Sequence, residues 1–191
     1  VEAKQAQNVL DYDDLLLWWA QMCAEPAIAD HLSGRFDHIL VDEYQDTNRL
    51  QAAILTALKP DGRGLTVVGD DAQSIYSFRA AEVRNILDFP GLFPEPARIV
   101  TLDRNYRSTD TVLDAANAVI GEAAERFTKN LWTDRVSPEK PLLATVRDEA
   151  EQANYVCEKV LEAREEGTAL KHQAVLFRAA HHSGPLEVEL T

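Results

Sequence analysis

Apolar positions along this chain fall into two kinds of run. Residues 11–24, DYDDLLLWWAQMCA, and 48–58, NRLQAAILTAL, recur at helical spacing. In the first, Asp11 stands at the cap position, and Leu15, Leu16, Trp18, Trp19 and Met22 supply a broad apolar face. In the second, Leu50, Ile54, Leu55 and Leu58 share one side, and Lys59-Pro60-Asp61-Gly62 ends the pattern. Pro26 and Ser33-Gly34 interrupt helical periodicity between them. The other kind is short and nearly continuous. Residues 37–42 and 65–68 are such runs, as expected of strands buried on both faces. Three more predicted strands cover 98–102, 142–146 and 173–177.

Helices are predicted at 82–89 and at 109–120, the latter capped by Ser108 with Val112, Leu113, Ala116, Val119 and Ile120 inward. A further helix starts at Asp148, where Glu151 completes a capping-box-like pattern. Ala153, Val156, Cys157, Val160 and Leu161 form its stripe, and Gly167 stops it. The segment 90–96, PGLFPEP, reads as a loop and a candidate domain boundary. Residues 121–140 are polar and irregular. The order of elements is βαβαβ-like on both sides of the proline-rich segment, which argues for an α/β fold of parallel sheets flanked by helices.

Composition narrows the function classes. A length of 191 residues suits one large or two small domains. No segment approaches the roughly 20 apolar residues of a membrane span. The first residues carry neither a basic region nor an apolar one of the secretory kind. Cys23 and Cys157 lie far apart without a CxxC pattern, so both are read as reduced apolar fillers in a cytoplasmic protein. His181-His182 lacks a third ligand nearby and is not read as a metal site. The net charge of −13 argues against binding nucleic acid by bulk electrostatics. Any such contact must be local, made by a few arginines and aromatic rings in a groove.

Three clusters carry the candidate chemistry, and each follows a predicted strand, where ligands collect in open α/β folds. Asp42-Glu43-Tyr44-Gln45-Asp46 offers a carboxylate pair. One group of such a pair can hold Mg²⁺ while the other orients or deprotonates a water. The alternative is a strand end with solvated acids. Gly69 to Arg79, GDDAQSIYSFR, contains Gln73, whose amide can both donate and accept and so suits sensing a terminal phosphate. It also contains Tyr76 and Phe78, flanked by Arg79, which can stack on a base. The alternatives are a turn glutamine and core packing of the ring. Asp103 to Ser108, DRNYRS, pairs a ring at Tyr106 with a guanidinium at Arg107. Here the alternative is a strand-end tyrosine beside an arginine that caps an acid.

In this order and at these spacings, DEYQDTN, GDDAQSIYSFR and NYRS resemble motifs II, III and IV of the superfamily 1 DNA helicases of the UvrD/Rep/PcrA type. The segments 11-DYDDLL-16, Leu131-Trp132-Thr133 and Ala174 to Arg178 resemble that family too, so the likeness covers nearly the whole chain. It implies parts of two RecA-like, P-loop NTPase helicase domains, 1–96 from the first and 97–191 from the second. It implies an ATP-dependent motor that translocates 3′ to 5′ on single-stranded DNA and unwinds duplex DNA, in repair or replication restart, with repair-protein partners left unnamed. By the same resemblance Asp42 would hold the Mg²⁺ of bound ATP and Glu43 would activate the attacking water. Gln73 would contact the γ-phosphate, Tyr76, Phe78 and Arg79 would serve single-stranded DNA, Tyr106 would stack on adenine and Arg107 would act as an arginine finger.

Some expected features differ. No GxxxxGK[ST] occurs in the chain, and nothing resembles the late motifs V and VI. Ala72 stands where relatives usually have aspartate, and Ala80 where they usually have glycine. The chain therefore reads as a central fragment of a longer helicase, inactive toward ATP by itself. Two other classes compete with the motor. One is a non-catalytic DNA- or protein-binding adaptor derived from a helicase. The other is a metal-dependent nuclease, for which the lysine-bearing carboxylate motif is missing.

Overall fold

A computed structural model describes residues 2–190, which divide into two compact units, one running to Lys140 and the other starting at Pro141. The first unit contains helices α1 (Glu2–Gln7), α2 (Tyr12–Ala24), α3 (Pro26–Ser33), α4 (Arg49–Leu58), α5 (Arg84–Asp88) and α6 (Asp110–Gly121). Its sheet has two strands, β1 (Ile39–Val41) and β2 (Leu65–Val67), paired parallel with Ile39 opposite Leu65 and Val41 opposite Val67. The second unit holds α7 (Glu149–Glu165) and α8 (Ser183–Glu189). Among the described residues, no helix is long and apolar enough to cross a membrane.

Local chemistry sets the helix starts. Asp11 caps α2 by accepting from Asp14 N–H at 3.0 Å, and the Asp14 carboxylate returns a bond to Asp11 N–H. Asn48 and Gln51 form the same reciprocal box at α4. Asp148 caps α7 through Glu151 N–H at 2.8 Å, but the Glu151 side chain turns to Arg147, so only half of the expected box forms. Gly167, at φ +104°, ends α7: its N–H reaches Arg164 C=O and Thr168 N–H reaches Ala163 C=O. Pro26, read from sequence as an interruption, instead occupies the first turn of α3, where its missing N–H has no consequence. At α6 the cap position falls to Thr109, not Ser108. The Ser108 N–H is already taken by the Asn105 side chain at 2.7 Å.

Two apolar clusters organise the first unit. Cys23, Ile54 and Leu58 are buried together, with Leu16, Ala20, Leu32 and Ile39 against them. The inward stripe of α2 is therefore Leu16-Ala20-Cys23, whereas Leu15, Trp18, Trp19 and Met22 are exposed. A helix apolar on most sides does not declare which stripe its partner takes; α4 selects this one. The second cluster buries Tyr44, Ile86, Phe89 and Phe93 together, and its rings meet edge-on, with centroids 5.2 Å apart for Tyr44–Phe89 and 5.7 Å for Phe89–Phe93. Phe93, from the proline-rich segment, is thus a core residue.

The sheet departs from the sequence expectation. Ile39 and Val41 turn inward and are half-buried, but Leu40 is 78% exposed, so β1 covers one face only. The runs 98–102, 142–146 and 173–177 form no strands. Each lies outside any helix or strand and pairs with no neighbouring strand among the described residues, and Val100, Leu102, Leu143 and Leu176 are exposed. An apolar run supplies a face, but a ladder requires a second chain segment alongside. On α6 only Leu113 is buried; Val112, Ala116 and Val119 face outward. On α7 Ala153 is buried and Leu161 is exposed.

Candidate functional site

The C-terminal end of β1 leads directly into the acidic pair. Asp42 accepts from Glu43 N–H at 2.9 Å through one carboxylate oxygen. Glu43 itself takes φ +51°, in the left-handed region, and opens a short 3₁₀ turn at Tyr44–Asp46. That conformation is unfavourable for a side-chain-bearing residue by about 1–2 kcal/mol, so the surroundings must hold it. Tyr44, almost fully buried, anchors the turn, and its N–H donates to Val68 C=O at 3.0 Å.

Gln45 ties this turn to the loop after β2. Only 1% exposed, it donates from Nε2 to the Glu43 carboxylate at 2.8 Å and accepts from Asp70 N–H at 3.0 Å. The backbone passes close over that amide at Gly69. A Cβ there would lie 2.5 Å from Gln45 Oε1 and 2.7 Å from Ile86 Cδ1. Asp70 in turn gathers three donors. Ala72 N–H and the Gln73 side chain each donate at 3.0 Å, and the Lys129 ammonium pairs with it. Burial pushes the Asp70 carboxyl up, but Gln73, Lys129 and Ala72 together outweigh burial and leave it below the ordinary carboxylate range. Asp71 accepts from Phe127 N–H at 3.0 Å and lies 3.5 Å from Lys129. Asp42, Glu43 and Gln73 therefore belong to one hydrogen-bonded network.

Tyr76 and Phe78 sit 5.9 Å apart between ring centroids, with the Arg79 guanidinium 5.2 and 5.4 Å from them. Phe78 is 71% exposed, so it is not a core residue. A ring backed by a cation and open to solvent is a stacking platform. Ala80 closes this turn at φ +62°, a conformation that glycine adopts without strain.

Tyr106 is 73% exposed. Arg104 stands between it and Trp132, with its guanidinium 5.0 and 5.1 Å from the two rings, and also pairs with Asp134. Arg135 fixes the backbone here by donating to the carbonyls of Tyr106 (3.1 Å) and Arg107 (2.9 Å). The Arg107 guanidinium makes no hydrogen bond or ion pair among the described residues. No hydrogen bond joins Tyr106 or Arg107 to Asp42, Glu43 or Gln73 among the described residues; the connection runs through residues 127–132.

Asp42 has one carboxylate oxygen without a hydrogen-bond partner among the described residues. Mg²⁺ needs only one or two protein carboxylates when phosphates and waters complete its shell. Asp42 fits that demand. Among the described residues there is no group of three or more His, Cys, Asp or Glu side chains placed to hold a metal by themselves.

Sequence reasoning assigned no role to Gln45, Gly69, Lys129 or Arg104. Gln45 and Gly69 lie inside the recognised stretches, so their position was visible although their contacts were not. Lys129 sits in a polar, irregular segment that carries no periodic signal.

Comparison with known families agrees with the local chemistry. The model of the UvrD/REP helicase N-terminal domain matches residues 1–94, and that of the UvrD-like helicase C-terminal domain matches residues 100–191. The ATP-dependent DNA helicase PcrA of Staphylococcus aureus strain Mu50 is 37% identical over 181 residues, which are 94% of this chain and 25% of that protein. DNA helicase II of Salmonella typhimurium is 40% identical over 190 residues, 99% of this chain and 26% of that protein. The ATP-dependent DNA helicase UvrD1 of Mycobacterium bovis is 41% identical over 194 residues, 96% of this chain and 25% of that protein. The chain thus spans about a quarter of the length of these curated relatives. With an N-terminal-domain match followed at once by a C-terminal-domain match, and with its acidic pair and glutamine loop joined through Gln45, the chain belongs to the UvrD/Rep family of helicases.

Proposed function

We propose that this chain is a central piece of an ATP-dependent DNA helicase, with residues 1–96 belonging to a first RecA-like domain and 97–191 to a second. The protein that contains it couples ATP hydrolysis to translocation on single-stranded DNA and to duplex unwinding. A 3′ to 5′ direction, a setting in DNA repair or replication restart and a cytoplasmic location follow from the family resemblance.

The observation that carries this reading is the buried Gln45 amide. It holds the Glu43 carboxylate on one side and the Asp70–Gln73 loop on the other. Residues that would act on an attacking water and on a terminal phosphate are thereby fixed in one frame before any substrate arrives. Phosphoryl transfer is accelerated chiefly by such positioning and by charge stabilisation.

In this reading Asp42 holds Mg²⁺, which when bound would offset phosphate charge. Glu43, oriented by Gln45 Nε2, accepts a proton from water. Gln73 rests with its Nε2 on Asp70 and keeps its amide oxygen available. The Arg107 guanidinium, without a hydrogen bond or ion pair among the described residues, is available for an anionic phosphate, and the open ring of Tyr106 for a base. The Tyr76–Phe78–Arg79 platform serves single-stranded DNA.

The test is Glu43→Gln in the full-length gene product. DNA-stimulated ATP turnover is expected to fall by two or more orders of magnitude, in line with loss of a general base, while single-stranded DNA binding persists. Turnover near the parental rate would overturn the role of Glu43. The 191-residue chain alone, which has no GxxxxGK[ST], is expected to show no appreciable turnover.

A further inference from the structure

Lys129 is the least exposed cation in any ion pair among the described residues: its side chain is 13% exposed, and it faces Asp70 and Asp71 together. A cation so far out of water persists only where carboxylates hold it. The segment around it is fastened to that loop and to the elements beside it. Glu125 pairs with Arg84, the Phe127 ring packs on the Tyr44–Phe89 cluster, and Phe127 N–H donates to Asp71. Just beyond Lys129, Leu131 is held both ways by the Asn117 side chain, at 2.9 and 3.0 Å. Trp132 then exchanges backbone hydrogen bonds with the segment leading into Tyr106: its N–H donates to Asp103 C=O at 3.0 Å, and its C=O accepts from Asn105 N–H at 2.7 Å.

Three residues of chain, a reach of about 10 Å at most, thus separate the Asp70 ion pair from the backbone that carries Tyr106 and Arg107. At the other end of the same carboxylate sits Gln73. Asp70 takes Lys129 on Oδ1 and Gln73 Nε2 on Oδ2. Any movement of Gln73 away from Asp70 removes one donor from the carboxylate that Lys129 also holds.

We infer that Lys129 is a positioning residue that couples the Gln73 loop to the Tyr106–Arg107 step. It touches neither phosphate nor base; it acts by holding residues 127–132 against Asp70 and Asp71. This role rests on the nucleotide reading of Gln73, Tyr106 and Arg107 given above. The strap itself rests only on the contacts.

Two measurements test it. In the 191-residue chain, Lys129→Met is expected to speed amide hydrogen exchange in peptides covering 103–107 and 127–132 by about tenfold or more, because local opening no longer breaks an ion pair. Peptides covering 12–24 keep their parental rates. Unchanged exchange at 103–107 overturns the strap. In the full-length gene product, the same substitution is expected to lower kcat for ATP about tenfold with KM changed less than about threefold, and to add less than about threefold in a Gln73→Ala background. Lys129→Arg recovers most of the turnover. Full additivity of the two substitutions overturns the coupling. Where methionine prevents folding, Lys129→Gln, which keeps a donor without the charge, is read by the same limits. A parental protein with no DNA-stimulated ATP turnover refutes the helicase reading, and hydrogen exchange still decides the strap.

Discussion

Replacing Gln45 with leucine removes the amide that joins the two loops while nearly preserving side-chain volume. The Asp70 N–H loses its acceptor in a tight site bounded by Gly69 and Ile86. An unsatisfied donor of this kind costs about 1–3 kcal/mol. The Glu43 carboxylate loses a donor but is itself exposed, so water replaces the bond and the loss is about 0.5–1 kcal/mol. Burying a leucine in place of an amide returns about 1 kcal/mol. The balance is a destabilisation of about 0.5–3 kcal/mol. For a unit of this size that lowers Tm by about 2–10 °C. Trp18, Trp19 and Trp132 all lie in the unit that runs to Lys140, so tryptophan fluorescence during heating reports that unit alone. Gly69→Ala attacks the same contact from the other side, placing a Cβ 2.5 Å from Gln45 Oε1. The double variant should therefore be less destabilised than the sum of the single ones. A leucine variant that melts within about 1 °C of the parent would refute the claim that this amide holds the loops together.

Ala80→Gly should stabilise the first unit by about 0.5–1 kcal/mol, because relief of the φ +62° backbone outweighs the added freedom of the unfolded chain; a lower melting temperature would contradict this. Phe78→Ala in the full-length gene product should weaken single-stranded DNA binding by about 1–3 kcal/mol through lost stacking, with the unfolding midpoint unchanged because the ring is exposed; unaltered DNA affinity removes Phe78 from the DNA path. The Asp11 carboxyl, held down by the Lys4 ammonium and by Asp14 N–H, should titrate at about 2 by NMR rather than near 3.8. Its folded value is depressed, so its contribution to stability is fully present above the ordinary value and is lost as pH falls toward 2. Lys4→Met should move that midpoint upward, and an unmoved midpoint would rule out the pair as the cause.

What the sequence determined alone is mostly short-range. Asp11 and Asp148 were legible as caps because each bond closes within three residues. Gly167 was legible as a stop because few other residues accept its backbone angle. The β1 and β2 runs were legible because turns flank them, and the family was legible because three motifs recur in fixed order. The tertiary structure decided the rest. The inward stripe of α2 depended on α4, and the runs at 98–102, 142–146 and 173–177 remained unpaired because a strand is a property of two segments. The contacts that assemble the site span 25 residues for Gln45 with Asp70 and 59 for Lys129 with Asp70. No periodicity or local cap encodes a bond across such a separation. A buried amide and a shielded ammonium become recognisable only when the fold takes water away from them.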